Sequence, residues 1–379
     1  MPCFRAVRLH NTGARAPVYD VVVAGGGPAG AAAALALLQT RASLRVAVLE
    51  ASAFDLARAG EMLSPGGREI LAGLGCWERV KPFAIACHGT RAAWGCAEPY
   101  DNDFVFSARG CAWQLDRARF DAALIDAVRD AGADVFLRAR IVRIARGPDS
   151  VWQLHVAGVP DGLAARLVID ATGRRASFAS ARGARALVDD TLAGVAVTWR
   201  LASSQAFDAT TLIEACETGW WYSGMLPGDR AIAVWMSDAD LIRAGRLRER
   251  PHWLAALGAT RATRRRFAGA QPEWPANVQS ARSQRIAPVH GDGWIAAGDA
   301  ACAFDPLSSS GILKALRSGK LAAFAALDVL DGDAGGPARY ARWIEQEYRH
   351  YLAARREHYA QEGRWPHAPF WARRLEQAS

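Results

Sequence analysis

The stretch Asp20-Val-Val-Val-Ala24, followed by Gly25, Gly26, Gly27, Pro28 and the Ala/Leu run of residues 31–38, leaves this chain few folds to choose from. β-Branched residues in an unbroken apolar run predict a buried strand, the glycines a tight turn, and the Ala/Leu run a helix. Gly25-x-Gly27-x-x-Gly30 puts glycine where the strand must turn sharply, where backbone must approach a pyrophosphate, and where helix must pack close to strand; the helix N-terminus then faces the anion. A second strand over 45–49 closes with Glu50, twenty residues beyond Gly30 and placed to reach a ribose hydroxyl. This is a parallel βαβ unit that binds a dinucleotide. The spacing alone does not separate NAD from FAD.

With 379 residues, 51% apolar and 22% charged, the chain can bury a sizeable core shared by two lobes, which excludes disordered, collagen-like and disulfide-scaffold proteins. Seven scattered cysteines without a CxxC pair predict reduced thiols, a cytoplasmic protein and no structural metal. Residues 21–40 carry no charge, but Gly25, Gly26, Gly27 and Pro28 would break a helix there, and residues 1–17 lack the apolar core of a signal peptide. No membrane span is expected, and residues 1–17 are expected to form a mobile tail. The formal charge of +8 rests on 43 arginines and only three lysines, Lys81, Lys314 and Lys320. Solvated helix faces account for most of the arginines; the groups at 243–250 and 261–266 would suit an acidic partner protein, and no nucleic acid is expected.

Further along, 117–131 reads as a helix, 167–169 as a buried strand, and 195–201 and 231–236 as strands of a mostly antiparallel lobe. Residues 293–299 return to the nucleotide lobe, and a helix starts near Gly311. The expected architecture is α/β: a Rossmann-like domain with a parallel sheet over 18–185 and 280–335, a substrate lobe on an antiparallel sheet over 186–279 with contributions from about 80–112, and a helical C-terminal region over 336–379.

Three ordered motifs narrow the class. Asp170-Ala171-Thr172-Gly173, and Gly298-Asp299 with Pro306 and Gly311 downstream, resemble the DG and GD motifs of the p-hydroxybenzoate hydroxylase-like flavoproteins. Gly60-Glu61-Met62-Leu63-Ser64-Pro65, Ala93-Trp94-Gly95 and Trp113-Gln114-Leu115-Asp116-Arg117, with Phe120-Asp121, are similar to the flavin-dependent tryptophan halogenase group. Within it they most resemble the flavoproteins that mature tryptophylquinone cofactors. The resemblance implies FAD as cofactor, NAD(P)H as reductant, and hydroxylation of an aromatic indole ring through a C4a-hydroperoxide of the flavin, the substrate being a tryptophan in a partner polypeptide.

Carried onto these residues, the resemblance places Gly25, Gly27, Gly30, Glu50, Arg58, Arg117, Asp170, Gly173, Gly298, Asp299, Pro306 and Gly311 at the cofactor. Asp299 would accept hydrogen bonds from the ribityl chain, and the helix after Pro306 would point its amides at the pyrimidine edge. Arg58 and Arg117 would fork onto the pyrophosphate. Glu61 and His88 would move protons; Tyr222 with Trp220 and Trp221 would wall the substrate pocket or, as aromatic clusters at a strand–turn more often do, pack in the core. Asp170 and Arg174 would meet a transient nicotinamide, unless a separate flavin reductase supplies the electrons. The halogenases of this fold use an active-site lysine; here Cys87-His88-Gly89-Thr90-Arg91 stands around its place, and only Lys81 remains a candidate. The alternatives are a small-molecule aromatic hydroxylase or halogenase of secondary metabolism, and a flavin reductase resembling the geranylgeranyl reductases.

Overall fold

The computed structural model describes residues 18–55, 60–104, 108–147, 149–202 and 208–376. The glycine-punctuated start folds as strand Val18–Ala24, helix Pro28–Thr40 and strand Val46–Glu50. Val18–Ala24 lies between Val46–Glu50 and Val159–Asp170, parallel to both, and Asp134–Leu137 and Trp294–Ala296 extend the parallel order on either side. All five residues of Val46–Glu50 are buried, as a strand covered on both faces requires.

Helix Pro28–Thr40 is buried all round from Pro28 to Leu38, so its apolar run has no polar face to show. It packs against helices Arg117–Asp130 and Gly311–Leu330. The second approach is close: a Cβ on Gly319 would stand 2.1 Å from the Ala29 carbonyl oxygen. Helix Arg117–Asp130 begins where Asp116 caps the Arg119 amide.

The second lobe is a seven-stranded sheet in the order Gln271–Ser280, Leu192–Arg200, Arg230–Asp238, Gly219–Leu226, Thr211–Cys216, Gly89–Ala93 and Tyr100–Asp103. All pairings are antiparallel except that of Thr211–Cys216 with Gly89–Ala93. Alternation along a strand sends Trp220 and Trp221 to opposite faces. Trp220 meets Trp94 and bonds the Tyr359 hydroxyl, while Trp221 packs on Trp235 and Trp253. Both are fully buried and neither borders the cavity between the lobes, so of the two readings of this aromatic cluster the core one holds for them.

Helix Gly335–Ala360 lies along Gly311–Leu330 and buries Tyr340, Ile344, Tyr348, Tyr351, Arg355 and Tyr359, a stripe at three- and four-residue spacing. The last helix, Pro369–Glu376, drives Phe370 and Trp371 into the face that holds Trp220. Among the described residues no helix is long and apolar enough to cross a membrane; the uncharged stretch 21–40 is divided between a strand and a helix. Residues 1–17 lie outside the described residues.

Candidate active site

A cavity of about 720 Å³ opens between the two lobes, within the ~300–1,000 Å³ range of ligand and cofactor sites. The nucleotide lobe contributes Gly25, Gly27 and Glu50, and the second lobe contributes Ala196, Tyr222 and Met236.

At the first glycine turn the sequence is fixed by sterics. Gly25 adopts φ +110°, and a Cβ there would fall 2.2 Å from the Ala171 carbonyl oxygen. A Cβ on Gly30 would lie 1.8 Å from the Gly25 carbonyl oxygen. Gly30 does not border the cavity; it lets the helix begin directly over the turn. Gly27, Gly173 and Gly311 differ in that each borders the cavity and a Cβ on any of them would meet nothing within 4 Å. Side chains there would fill space the cavity needs. Gly27, Pro28 and Ala29 bring the positive end of the helix to the cavity, where it favours an anion.

Glu50 is buried and its carboxylate is held from three sides, by the amides of Gly26 (2.8 Å) and Ser52 (2.9 Å) and the Ser52 hydroxyl (2.6 Å). These donors fix the carboxylate's orientation at the cavity wall. Asp170 departs from the expectation. Its carboxylate is fully buried, is not part of the wall, and accepts from the Thr172 amide (3.0 Å), the Thr172 hydroxyl (2.6 Å) and the Ala179 amide (2.8 Å). It ties the end of Val159–Asp170 to the following turn, so the wall there is made by Thr172, Gly173 and Arg174 instead. Arg174 is committed to its own protein, donating to the Phe304 carbonyl at 3.0 Å and to that of Arg282, with Nε 3.6 Å from Asp299.

Beside Arg174, Asp299 sits in the short helical turn Gly298–Ala300. Gly298 itself lies behind, its amide donating to the Ser318 hydroxyl at 2.9 Å. Burial alone would lift the Asp299 carboxyl, but Lys314, 2.6 Å away, and Arg174 outweigh it and hold it below the ordinary carboxylate range. The turn Pro306–Ser308 and the helix start at Gly311 complete this wall. Asp305 fixes that turn: it accepts from the Leu307 amide (2.9 Å) and the Tyr359 hydroxyl (2.8 Å), its own amide donates to the Tyr351 hydroxyl (2.8 Å), and Arg355 stands beside it at 3.5 Å.

The acid–base candidates separate. Glu61 borders the cavity at the start of strand Met62–Leu63, and burial pushes its carboxyl up to about 7, against its backbone hydrogen bonds and the nearby Arg117. Tyr222 faces the same space, its hydroxyl 2.9 Å from Gln114 Nε2, and burial followed by the charge of Glu61 keeps the phenol protonated. Arg117 also borders the cavity; it forks onto Asp121 (3.1 and 2.9 Å) and donates to the Gly60 carbonyl (2.8 Å), bracing the backbone that carries Glu61. His88 is not brought to the site. It is exposed between strands Ala84–Cys87 and Gly89–Ala93 and does not border the cavity. Arg58 lies outside the described residues. None of the three lysines borders the cavity: Lys81 is half-exposed beside Glu78, Lys314 is behind Asp299, and Lys320 lies over Phe324.

Sequence reasoning missed Gln114, Asp305, Lys314, Tyr351, Arg355 and Tyr359 as parts of the site and its support. The available signal was Arg355, a charge at a core position of an otherwise apolar and tyrosine-rich helical stripe.

These features define a flavoprotein built for FAD. The open glycines leave room at the wall, the helix end there favours an anion, and Glu50 and Asp299 set two fixed carboxylates on it. The chain belongs to the FAD binding domain family, whose model matches residues 18–337. It is 34% identical over 364 residues to the putative FAD-dependent oxidoreductase LodB of Marinomonas mediterranea, covering 94% of this chain and 96% of LodB. Among solved structures it is similar to QhpG, a peptidyl tryptophan dihydroxylase essential for tryptophylquinone cofactor biogenesis, with a TM-score of 0.76 and 26% identity over 94% of this chain and 79% of QhpG. It is also similar to the flavin-dependent halogenase CmlS, with a TM-score of 0.84 and 25% identity over 94% of this chain and 68% of CmlS. The protein is an FAD-dependent oxidoreductase of the monooxygenase and halogenase group.

Proposed function

We propose that this protein hydroxylates the indole ring of a tryptophan side chain within a partner polypeptide, as a step in tryptophylquinone cofactor formation. The observation that carries the proposal is the chemistry of the cavity wall: a carboxyl with a pKa raised to about 7 and a neutral phenol face it, and no lysine does. FAD, when bound, supplies the activation of dioxygen. The chain's own residues do the rest. Glu61 holds a proton on its carboxyl below about pH 7 and takes up the ring proton once it is ionised. Tyr222, whose hydroxyl accepts from Gln114 Nε2 at 2.9 Å, offers its own proton as a hydrogen-bond donor toward the indole or the transferred oxygen. Ala196, Val234 and Met236 form the apolar part of the wall, which excludes water that would waste the reaction as hydrogen peroxide.

A polypeptide substrate is supported by the edge strand Gln271–Ser280. It pairs only with Leu192–Arg200 among the described strands, and Asn277, Gln279 and Ser280 border the cavity. Its free edge gives an extended chain backbone partners beside the cavity. NAD(P)H is the source of electrons. Because Asp170 and Arg174 are both engaged inside the protein, delivery through a separate flavin reductase is favoured over direct docking at that groove. The arginine groups at 243–250 and 261–266 suit an acidic partner surface.

The test compares a tryptophan-containing polypeptide with free tryptophan, each with the FAD-loaded protein, a reductase and dioxygen. Coupled oxygen uptake and mass gain with the polypeptide, and peroxide release with the free amino acid, support the reading. Efficient hydroxylation of free tryptophan removes the polypeptide part.

A further inference from the structure

Of the three lysines in this chain, one is in the interior. Lys314, in the first turns of helix Gly311–Leu330, is 3% exposed. Its ammonium donates to Asp299 Oδ1 at 2.6 Å and to the Cys302 carbonyl, and lies 5.1 Å from the centre of the Phe304 ring. A buried ammonium persists only when it is paired and hydrogen-bonded, and here the pair is one-sided. Lys314 is sealed in, whereas Asp299 is 34% exposed and borders the cavity. Arg174 approaches the same carboxylate from the turn Gly173–Arg175, at 3.6 Å. Asp299 is thus gripped from behind by a compact point charge and from the side by a guanidinium, with the rest of its oxygen surface turned to the cavity.

We propose that Lys314 is a positioning residue for FAD: it keeps Asp299 ionised and fixed, so that the carboxylate accepts hydrogen bonds from the hydroxyls of the cofactor's sugar-alcohol chain. The inference rests on membership of the FAD-binding family and is independent of the hydroxylation reading. The charged groups that face Asp299 are Lys314 from its helix, Arg174 from its turn and, farther away, Arg117 from helix Arg117–Asp130; the Cys302 thiol, pushed up to about 11 by burial, stays neutral. Removing Lys314 leaves a partly buried carboxylate with weaker support, so its protonation begins at higher pH and the acceptor is lost there.

The experiment measures FAD dissociation constants by flavin fluorescence quenching from pH 5 to 8 for the wild type, K314M, K314Q, D299N and the double variant K314M/D299N. K314Q keeps a donor for the Cys302 carbonyl and removes only the charge, so it carries the test if K314M does not fold. The expected result is about 10- to 100-fold weaker FAD binding at pH 7 for K314M and K314Q, the size of a lost hydrogen bond to a charged group. Their affinity falls further toward pH 5 while that of the wild type stays flat. D299N is weak at every pH, and the double variant is no weaker than D299N, because both substitutions remove one acceptor. Three outcomes overturn the proposal: wild-type affinity in K314Q, weakened binding without the pH dependence, or losses that multiply in the double variant.

Discussion

Glu61 gives the sharpest prediction, because its position affects stability and chemistry through one quantity. Burial lifts its carboxyl from 4.5 to about 7. A carboxyl whose pKa is raised on folding is tolerated fully while protonated, below about pH 4.5, and destabilises the folded state progressively as pH rises through 7. At about 1.4 kcal/mol per pH unit of displacement, the full penalty above pH 7 is about 3 kcal/mol. E61Q removes the ionisation and nearly keeps the shape. Its stability relative to the wild type should therefore improve by about 2.5 kcal/mol between pH 5 and pH 8. Urea unfolding followed by tryptophan fluorescence, with FAD in equal excess, measures this. The same substitution should remove a limb near pH 7 from the single-turnover oxygenation rate. A stability difference that does not change with pH, or one that moves toward the wild type as pH rises, would refute the argument.

Other substitutions probe the remaining walls. Y222F removes the hydroxyl held by Gln114 and should lower coupled product formation about 10- to 100-fold while FAD affinity is unchanged, read as product against peroxide. D170N presents an amide nitrogen or a weaker acceptor to the Thr172 and Ala179 donors and should cost about 2–3 kcal/mol in thermal unfolding. R355M strips a buried partner from Asp190 and Asp305 and should destabilise by about 3–5 kcal/mol, seen as a lower melting temperature with weaker FAD retention as the Pro306–Ser308 turn loosens.

The nucleotide lobe was legible in the sequence because its constraints are local. The turn at Gly25 and the close contact at Gly30 each depend on a backbone approach that no side chain permits, so the residue type reveals the geometry. Helix Arg117–Asp130 was equally legible from its apolar spacing, while its Asp116 cap emerged only in the structure. What escaped was long-range polar pairing. Asp170 occupies a motif position at the end of a strand, and nothing local shows that its carboxylate turns inward to Ala179 rather than to the cavity. His88 stands near the place of the halogenase lysine in sequence, yet the strand pair Ala84–Cys87 and Gly89–Ala93 leaves it in solvent. Trp220 and Trp221 adjoin Tyr222, but alternation and the arrival of Trp371 and Trp253 from distant segments make them core. Glu61 and Tyr222 do border one cavity, though much of the nucleotide lobe and part of the second lobe separate them along the chain.

The central claim, oxygen transfer to a tryptophan in a polypeptide, is tested most directly by turning over the FAD-loaded, reductase-fed protein under ¹⁸O₂ with bromide present and reading the polypeptide by mass spectrometry. The account predicts ¹⁸O on the tryptophan residue and no bromine. A brominated indole, or ¹⁸O appearing only in hydrogen peroxide, would contradict it.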